Sequence, residues 1–153
     1  RELHRRHVHP CARGGDGNAQ PGCEADKQHH QRVVPAHAVA QRRGLMRILG
    51  DPSLGLILLA VSGTRVLAMV NLLFTVSTAL GERVALLEDM VVAPGARGAG
   101  LGSRLLDEAM SAARAAGCKR VTLLTDGDNQ AAQRFYAMHG FSLSGMVPMR
   151  ILL

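Results

Sequence analysis

The most constraining feature of the sequence is a glycine-rich segment, Gly98-Ala99-Gly100-Leu101-Gly102, placed between an apolar strand and an amphipathic helix. Glycines at such a junction let the backbone come close to a ligand. The first N–H groups of a helix have no partner within the helix, and they form a natural site for an anion such as a pyrophosphate. The segment therefore predicts a phosphate-binding loop, although glycines that only turn the chain tightly are an alternative.

Two common phosphate-binding motifs do not fit this segment. The dinucleotide fingerprint G-x-G-x-x-G fails because the third position after Gly100 and Gly102 is Leu105. The nucleoside triphosphate loop requires a lysine followed by serine or threonine after its last glycine, and no lysine lies near Gly102. Both of these ligand classes are therefore disfavoured.

Hydrophobic periodicity from residue 54 onward predicts a series of strands and helices. Three strands joined by short turns form an antiparallel meander, at residues 56–61, 65–77 and 83–92. An amphipathic helix at residues 101–116 follows the glycine segment. The remaining elements are a strand, a helix and two short closing strands, at residues 120–125, 130–139, 141–143 and 149–153. This order predicts an α+β domain with helices flanking a mixed sheet.

Residues 1–50 differ in character from residues 51–153. The first segment holds nine Lys or Arg against four Asp or Glu, and six of the seven histidines. Such a stretch has little apolar material to bury, so we expect it to be poorly ordered or atypical, apart from a short helix at residues 41–49. The spacing of its candidate zinc ligands matches no common finger, so we expect no metal at Cys11, Cys23, His29 and His30.

Composition also bears on partners and location. The basic segment lacks the interleaved aromatic residues that stack on bases, so nucleic acid is not an expected partner. The longest apolar run, residues 54–61, is interrupted by Gly55 and is too short to span a membrane. Three cysteines do not make a disulfide framework, and we expect a cytoplasmic protein.

Three motifs together resemble one family. The run Arg97-Gly98-Ala99-Gly100-Leu101-Gly102 resembles the Q/R-x-x-G-x-G/A motif of GNAT N-acetyltransferases. The preceding Leu87-Glu88-Asp89-Met90-Val91-Val92 is similar to the splayed central strand of that family. Asn129 and the run from Arg134 to Phe141 are similar to its downstream N…FY…GF signature. The resemblance covers about residues 54–153.

The resemblance implies the GNAT acyl-CoA N-acyltransferase fold, with a mixed, mostly antiparallel sheet flanked by helices, and acetyl-CoA as co-substrate. Direct transfer to a primary amine, in a ternary complex, would be the reaction. Backbone amides would hold the pyrophosphate, the central strand would pair with the pantetheine, an amide at Val91 or Val92 would hold the acetyl carbonyl, and Asn129 would contact the cofactor arm. The implied cofactor-binding residues are Met90, Val91, Val92, Arg97, Gly98, Ala99, Gly100, Leu101, Gly102, Ser103 and Asn129.

Acetyl transfer to an amine needs a group that accepts a proton from the amine and one that protonates the leaving thiolate. Tyr136 stands where the family places the tyrosine that meets the thioester sulfur, and packing in the core is the alternative role for it. Glu88 is the preferred base, since it lies in an otherwise apolar strand. Asp89 is adjacent, and strict alternation would point it to the opposite face, so either carboxylate is a candidate.

The sequence gives the least information about the acceptor of the acetyl group. Residues 1–44 do not show the strand and helices that wall the acceptor site in the family, and small amines, amino acids, amino sugars and protein amines all stay open. A homodimer is a possible assembly. The alternative function is a non-catalytic, CoA-binding regulatory or nucleic-acid-associated module.

Overall fold

A mixed sheet forms the centre of the fold. The computed structural model describes residues 36–153, and within them four strands are arranged in the order β1-β2-β3-β4. Neighbours β1–β2 and β2–β3 are antiparallel, whereas β3 and β4 are parallel. The predicted mixed, mostly antiparallel sheet is therefore confirmed. The strands are β1 Gly55–Ser62, β2 Arg65–Ser77, β3 Glu82–Val92 and β4 Val121–Leu123.

Three helices accompany the sheet in the described residues: α1 Ala36–Gly50, α2 Leu101–Ala115 and α3 Gln130–Met138. Helix α2 makes the crossover between the parallel strands β3 and β4, which cannot be joined by a tight turn. Its apolar face packs on the sheet, and Leu105, Leu106, Ala109 and Ala113 are buried there. The strands contribute the rest of this core, chiefly Ala60, Ala68, Val70, Leu72, Ala85 and Leu87.

The helix before the sheet is longer than the sequence predicts. A short helix was expected at residues 41–49, and α1 begins five residues earlier, at Ala36. Leu45 and Ile48 are half-buried, and the helix contacts β1. Packing against the sheet therefore supports a helix whose own amphipathic pattern is weak. The candidate zinc ligands Cys11, Cys23, His29 and His30 lie outside the described residues.

The two closing strands are the part of the predicted fold that is wrong. Residues 141–153 form no strand. Phe141 packs against the core, but the large apolar side chains from Leu143 onward are solvent-exposed, with Leu143 90% and Met149 96% accessible. A strand needs a partner edge, and this segment carries Gly145, which weakens a strand, and Pro148, which cannot donate a ladder hydrogen bond. Strand β4 is also shorter than the predicted 120–125, because its pairing with β3 covers three residues.

Within residues 36–153, no helix is long and apolar enough to cross a membrane. Within the same residues, no group of three or more His, Cys, Asp or Glu side chains could hold a metal ion.

The start of β1 depends on a close approach of two backbones. A Cβ on Gly55 would collide with the carbonyl oxygen of Leu72 on the neighbouring strand, whereas a Cβ on Gly44, inside α1, would meet nothing within 4 Å. We expect Gly55→Ala to lower the free energy of unfolding by roughly 1–3 kcal/mol, because backbone atoms cannot move aside cheaply. The matched Gly44→Ala should raise it by up to about 1 kcal/mol, since alanine favours helix. Denaturant unfolding followed by circular dichroism measures both, and equal effects would contradict the assigned contact.

Candidate functional site

The central strand β3 contains a bulge. Asn71 of β2 pairs with Glu88, and Met69 pairs with Val91. One β2 residue, Val70, therefore faces two residues of β3, Asp89 and Met90, which is the definition of a β-bulge. Asp89 has φ +50°, a left-handed conformation that glycine usually occupies, and it is the sole non-glycine residue with positive φ among residues 36–153.

The bulge changes which side chains share a face. Before it, Leu87 belongs to the core under α2; after it, Met90 and Val92 pack against the same core. The two intervening carboxylates, Glu88 and Asp89, consequently lie on the face away from α2, where Asp89 accepts a 2.9 Å hydrogen bond from Asn71 Nδ2. The expectation that Asp89 points to the face opposite Glu88 is wrong, because the inserted residue interrupts the alternation.

Beyond the bulge, one edge of β3 has no strand beside it within the described residues. Strand β4 pairs only with Ala85–Leu87, so residues 88–92 extend past it. The amide of Ala93 donates to Leu67 O on the β2 side. By the alternation of an antiparallel ladder, Val91 also faces β2, while the amide and carbonyl of Val92 face the open edge.

The loop after β3 leads directly from this edge into α2. A short 3₁₀ turn, Pro94–Ala96, is followed by Gly98 and Gly100, whose φ angles of +78° and +73° suit glycine alone. The side chain of Arg97 folds back, and its Nε donates to Val92 O at 3.0 Å. Arg97 thus connects the loop to the strand through its side chain, a contact that its motif position did not predict.

Helix α2 begins without a capping side chain. Its N-cap is Gly100, no side-chain hydrogen bond caps it within the described residues, and its first turn holds no acidic residue. The first-turn amides of Leu101, Gly102 and Ser103 are therefore free of intrahelical partners and carry the positive end of the helix dipole. This arrangement favours an anion at the loop.

Gly102 lies at a narrow junction of three elements. A Cβ there would be 3.6 Å from Val92 Cγ2 on β3 and 3.7 Å from Phe135 Cζ on α3. The end of β3, the start of α2 and the middle of α3 therefore meet at one place. The three sequence motifs, which contribute Val92, Gly102 and Phe135, therefore meet around Gly102.

A side-chain contact that sequence reasoning missed ties α2 to α3. His139 has its Nε2 3.0 Å from Ser103 Oγ, and its Nδ1 lies 3.4 Å from Asp107 Oδ1. Its ring also packs on Phe135. The partners Ser103 and His139 are 36 residues apart, so no local pattern could have indicated this pair.

Tyr136 packs within an aromatic group on α3. Its ring makes edge-to-face contacts with Phe135 and with Phe141, at centroid distances of 5.3 and 5.7 Å. Burial raises the pKa of Tyr136, so the hydroxyl stays protonated at neutral pH. The side chain packs against the core under α2, whereas Glu88 is exposed on the other face of the sheet.

Asn129 has a structural role at the start of α3. Its Oδ1 accepts a 3.1 Å hydrogen bond from the amide of Ala132, which makes it the N-cap of the helix.

A cavity of about 460 Å³ lies beside the glycine loop. Its walls come from the β1–β2 hairpin, the 3₁₀ turn, Ala99 of the glycine loop and the first residues of α2. Two basic side chains, Arg65 and Arg104, line it. The cavity lining thus combines apolar side chains with two positive charges.

These features define a known class of protein. The profile of the acetyltransferase (GNAT) family matches residues 23–141, most of the chain. The chain belongs to this family, as the glycine motif, central strand and downstream signature indicated.

Relatives agree with this assignment. The chain is 34% identical over 85 residues to the uncharacterized N-acetyltransferase YhfO of Bacillus subtilis, covering 56% of the chain and 57% of that protein. It is 45% identical over 51 residues to mycothiol acetyltransferase of Beutenbergia cavernae, covering 33% of the chain but 17% of that protein. The chain therefore spans less than two thirds of either relative. A crystal structure described as a transcriptional regulator from Bacillus halodurans C-125 matches with a TM-score of 0.67 and 28% identity, covering 75% and 76% of the two chains.

The burial of Tyr136 can be measured directly. It is the single tyrosine of a chain without tryptophan, so the absorbance of phenolate at 295 nm reports on it alone. We expect the midpoint in the folded protein to lie above the midpoint in guanidinium chloride, where the pKa should be near the ordinary value of about 10. Because the pKa of Tyr136 is raised in the folded protein, the protonated phenol contributes to the free energy of unfolding. This contribution is complete below the unfolded pKa of about 10 and is lost as the pH rises through the folded pKa. Circular dichroism at each pH verifies folding, and a folded midpoint at or below the unfolded one would contradict the assigned burial.

Proposed function

We propose that this protein is an N-acetyltransferase that moves an acetyl group from acetyl-CoA to a primary amine by direct transfer. The observation that carries the proposal is the open edge of β3 beyond its bulge, which leads directly to the uncapped N-terminus of α2. An extended, amide-containing chain can pair with such an edge, and a pyrophosphate can bind at such a terminus. Pantetheine and pyrophosphate are joined in this order in coenzyme A.

The residues for the donor follow the path of the chain. Met90 to Val92 supply the edge for pantetheine, and the amides from Arg97 to Ser103 surround the pyrophosphate position. The contact between His139 and Ser103 orients the serine hydroxyl at the start of α2. Asn129, whose Oδ1 is engaged in capping, is proposed to offer its amide nitrogen to the cofactor arm.

The cavity beside the loop suits the nucleotide end of the same ligand. Coenzyme A carries a 3′-phosphate on its adenosine, and Arg65 and Arg104 are positioned to attract an anion there. The apolar walls of the cavity suit an adenine ring. We propose the two guanidinium groups as ligands of the 3′-phosphate.

The amide of Val92 is the proposed donor to the acetyl carbonyl. Of the two amides that the family resemblance implied, Val91 faces β2, while Val92 faces the open edge. A fixed N–H aimed at the carbonyl oxygen becomes more effective as negative charge develops there during attack by the amine.

Glu88 and Tyr136 divide the proton transfers between the two sheet faces. Glu88, exposed on the face away from α2, accepts a proton from the amine as its nitrogen forms a bond to the acetyl carbon. The carbon–sulfur bond then breaks, and Tyr136, on the α2 side, gives its hydroxyl proton to the departing thiolate. The raised pKa of Tyr136 keeps that proton available at neutral pH. Donor and acceptor would thus approach from opposite faces.

The test of the proposal is thiol release from acetyl-CoA across a panel of small amines, amino acids, amino sugars and peptides. Amine-dependent release with at least one acceptor class supports the enzyme, and mass spectrometry of the product confirms N-acetylation. Coenzyme A binding without release from any class would favour the alternative, a CoA-binding module. The cytoplasmic location and a homodimer stay predictions from the sequence.

The pyrophosphate site can be separated from general stability by two matched substitutions. Gly100 and Gly117 stand at opposite ends of α2, both have positive φ, and a Cβ on either meets nothing within 4 Å. We expect Gly100→Asp to raise the Kd for acetyl-CoA at least about tenfold, because its carboxylate faces the phosphates. Gly117→Asp should leave Kd unchanged. Ligand-dependent thermal shifts measure both, and an undiminished shift in Gly100→Asp would place the phosphates elsewhere.

The acid role of Tyr136 predicts a loss confined to turnover. Tyr136→Phe keeps the ring contacts with Phe135 and Phe141 but removes the hydroxyl, so the melting temperature and the affinity for acetyl-CoA should stay near those of the parent. We expect kcat to fall by about 10²–10⁴-fold, the range typical of a general acid. Steady-state kinetics with the best acceptor of the panel measures this, and an unchanged kcat would leave Tyr136 with a packing role only.

A further inference from the structure

Asn71 is a polar residue that is buried in the sheet with only part of its hydrogen-bonding capacity satisfied. It is 3% exposed, in the middle of β2, and is the single buried polar or charged residue among those described. Its Nδ2 donates to Asp89 Oδ2 at 2.9 Å, but its Oδ1 has no hydrogen-bond partner within residues 36–153. A buried amide with an unsatisfied oxygen costs stability compared with an apolar side chain of similar size.

The bond of Asn71 ends at the strained residue of the bulge. Asp89 has φ +50°, a conformation that is costly for residues other than glycine and is reached by aspartate when its side chain is held locally. The register shift begins at the pair Asn71–Glu88, so the hydrogen bond spans the bulge itself. Asn71 therefore contacts the one residue whose backbone decides whether the bulge persists.

Removal of the bulge would rearrange the site. In a regular strand, Asp89 would join Leu87 on the α2 face, and the amide of Val92 would turn from the open edge towards β2. The direction of the Val92 amide, and its placement relative to Glu88, thus depend on the conformation of Asp89.

We propose that Asn71 is a positioning residue, which holds Asp89 in its left-handed conformation and thereby orients the Val92 amide relative to Glu88 for acetyl transfer. The proposal rests on the N-acetyltransferase function given above. Asn71 itself touches no reacting atom. The unsatisfied Oδ1 of Asn71 lowers the stability of the fold, and the hydrogen bond to Asp89 that fixes the bulge is the reason the polar side chain is retained.

The decisive variant is Asn71→Leu, which keeps the number and branching of the side-chain heavy atoms while it removes the hydrogen bond and the unsatisfied oxygen. We expect kcat to fall roughly tenfold while the melting temperature is equal to or above that of the parent. Met69→Leu, two positions away on the same strand, is the matched control and should leave both unchanged. A fall in activity that accompanies a fall in melting temperature would overturn the proposal in favour of a structural role.

The background Asp89→Gly tests the mechanism of positioning. Glycine adopts φ +50° without support, so adding Asn71→Leu in this background should change kcat less than about twofold. An equal tenfold loss in both backgrounds would overturn the proposal. Absence of turnover in Asp89→Gly alone would also overturn it, because the carboxylate would then act in the reaction itself.

Hydrogen exchange gives a readout that does not depend on activity. Amides of residues 88–92 should exchange faster in Asn71→Leu and return towards the parent rate in Asn71→Leu with Asp89→Gly. Exchange that follows this pattern in a protein without turnover would support the positioning role and refute only the proposed function. Unchanged exchange in an active parent would refute the positioning role.

Discussion

One inserted residue in β3 is the constraint on which the site depends. Between Glu88 and Val91 the strand has two residues where its partner has one. The extra residue shifts the alternation by one position, so Glu88 and Asp89 share a face while Met90 and Val92 pack beneath α2. The same shift sets which backbone groups face the edge that β4 leaves unpaired. A hydrogen bond from Asn71 supports the strained residue at the centre of this arrangement.

The second element of the site is the positive end of α2, placed within one short loop of the bulge. Glycine at the N-cap leaves the first-turn amides unsatisfied, and Arg97 joins the loop to the end of β3 through the carbonyl of Val92. Helix α3 closes the junction through Phe135 and His139. The unpaired edge of β3 and the uncapped N-terminus of α2 are thereby held close together.

Particular elements show how far the sequence could be interpreted. The strand at residues 65–77 and the helix that follows Gly100 were predicted to within one residue, because their hydrophobic periods are long and their boundaries carry glycine. The closing strands failed because residues 141–153 do have apolar character but no strand pairs with them. The apolar composition of a segment indicates that it could be buried. Whether it forms a β-strand depends on whether the edge of a neighbouring strand is available for hydrogen bonding.

The sequence by itself determined the family, the order of the central elements and the place of the glycine loop before α2, since each of these depends on local spacing and on glycines at fixed positions. Tertiary structure alone decided the bulge at Asp89, the shared face of the two carboxylates, the orientation of Val92 and the contact between Ser103 and His139. The physical reason is the distance along the chain over which each kind of interaction acts. Periodicity acts over a few residues, but strand register and side-chain partners are set by segments 18 to 36 residues apart that meet only when the sheet and helices pack.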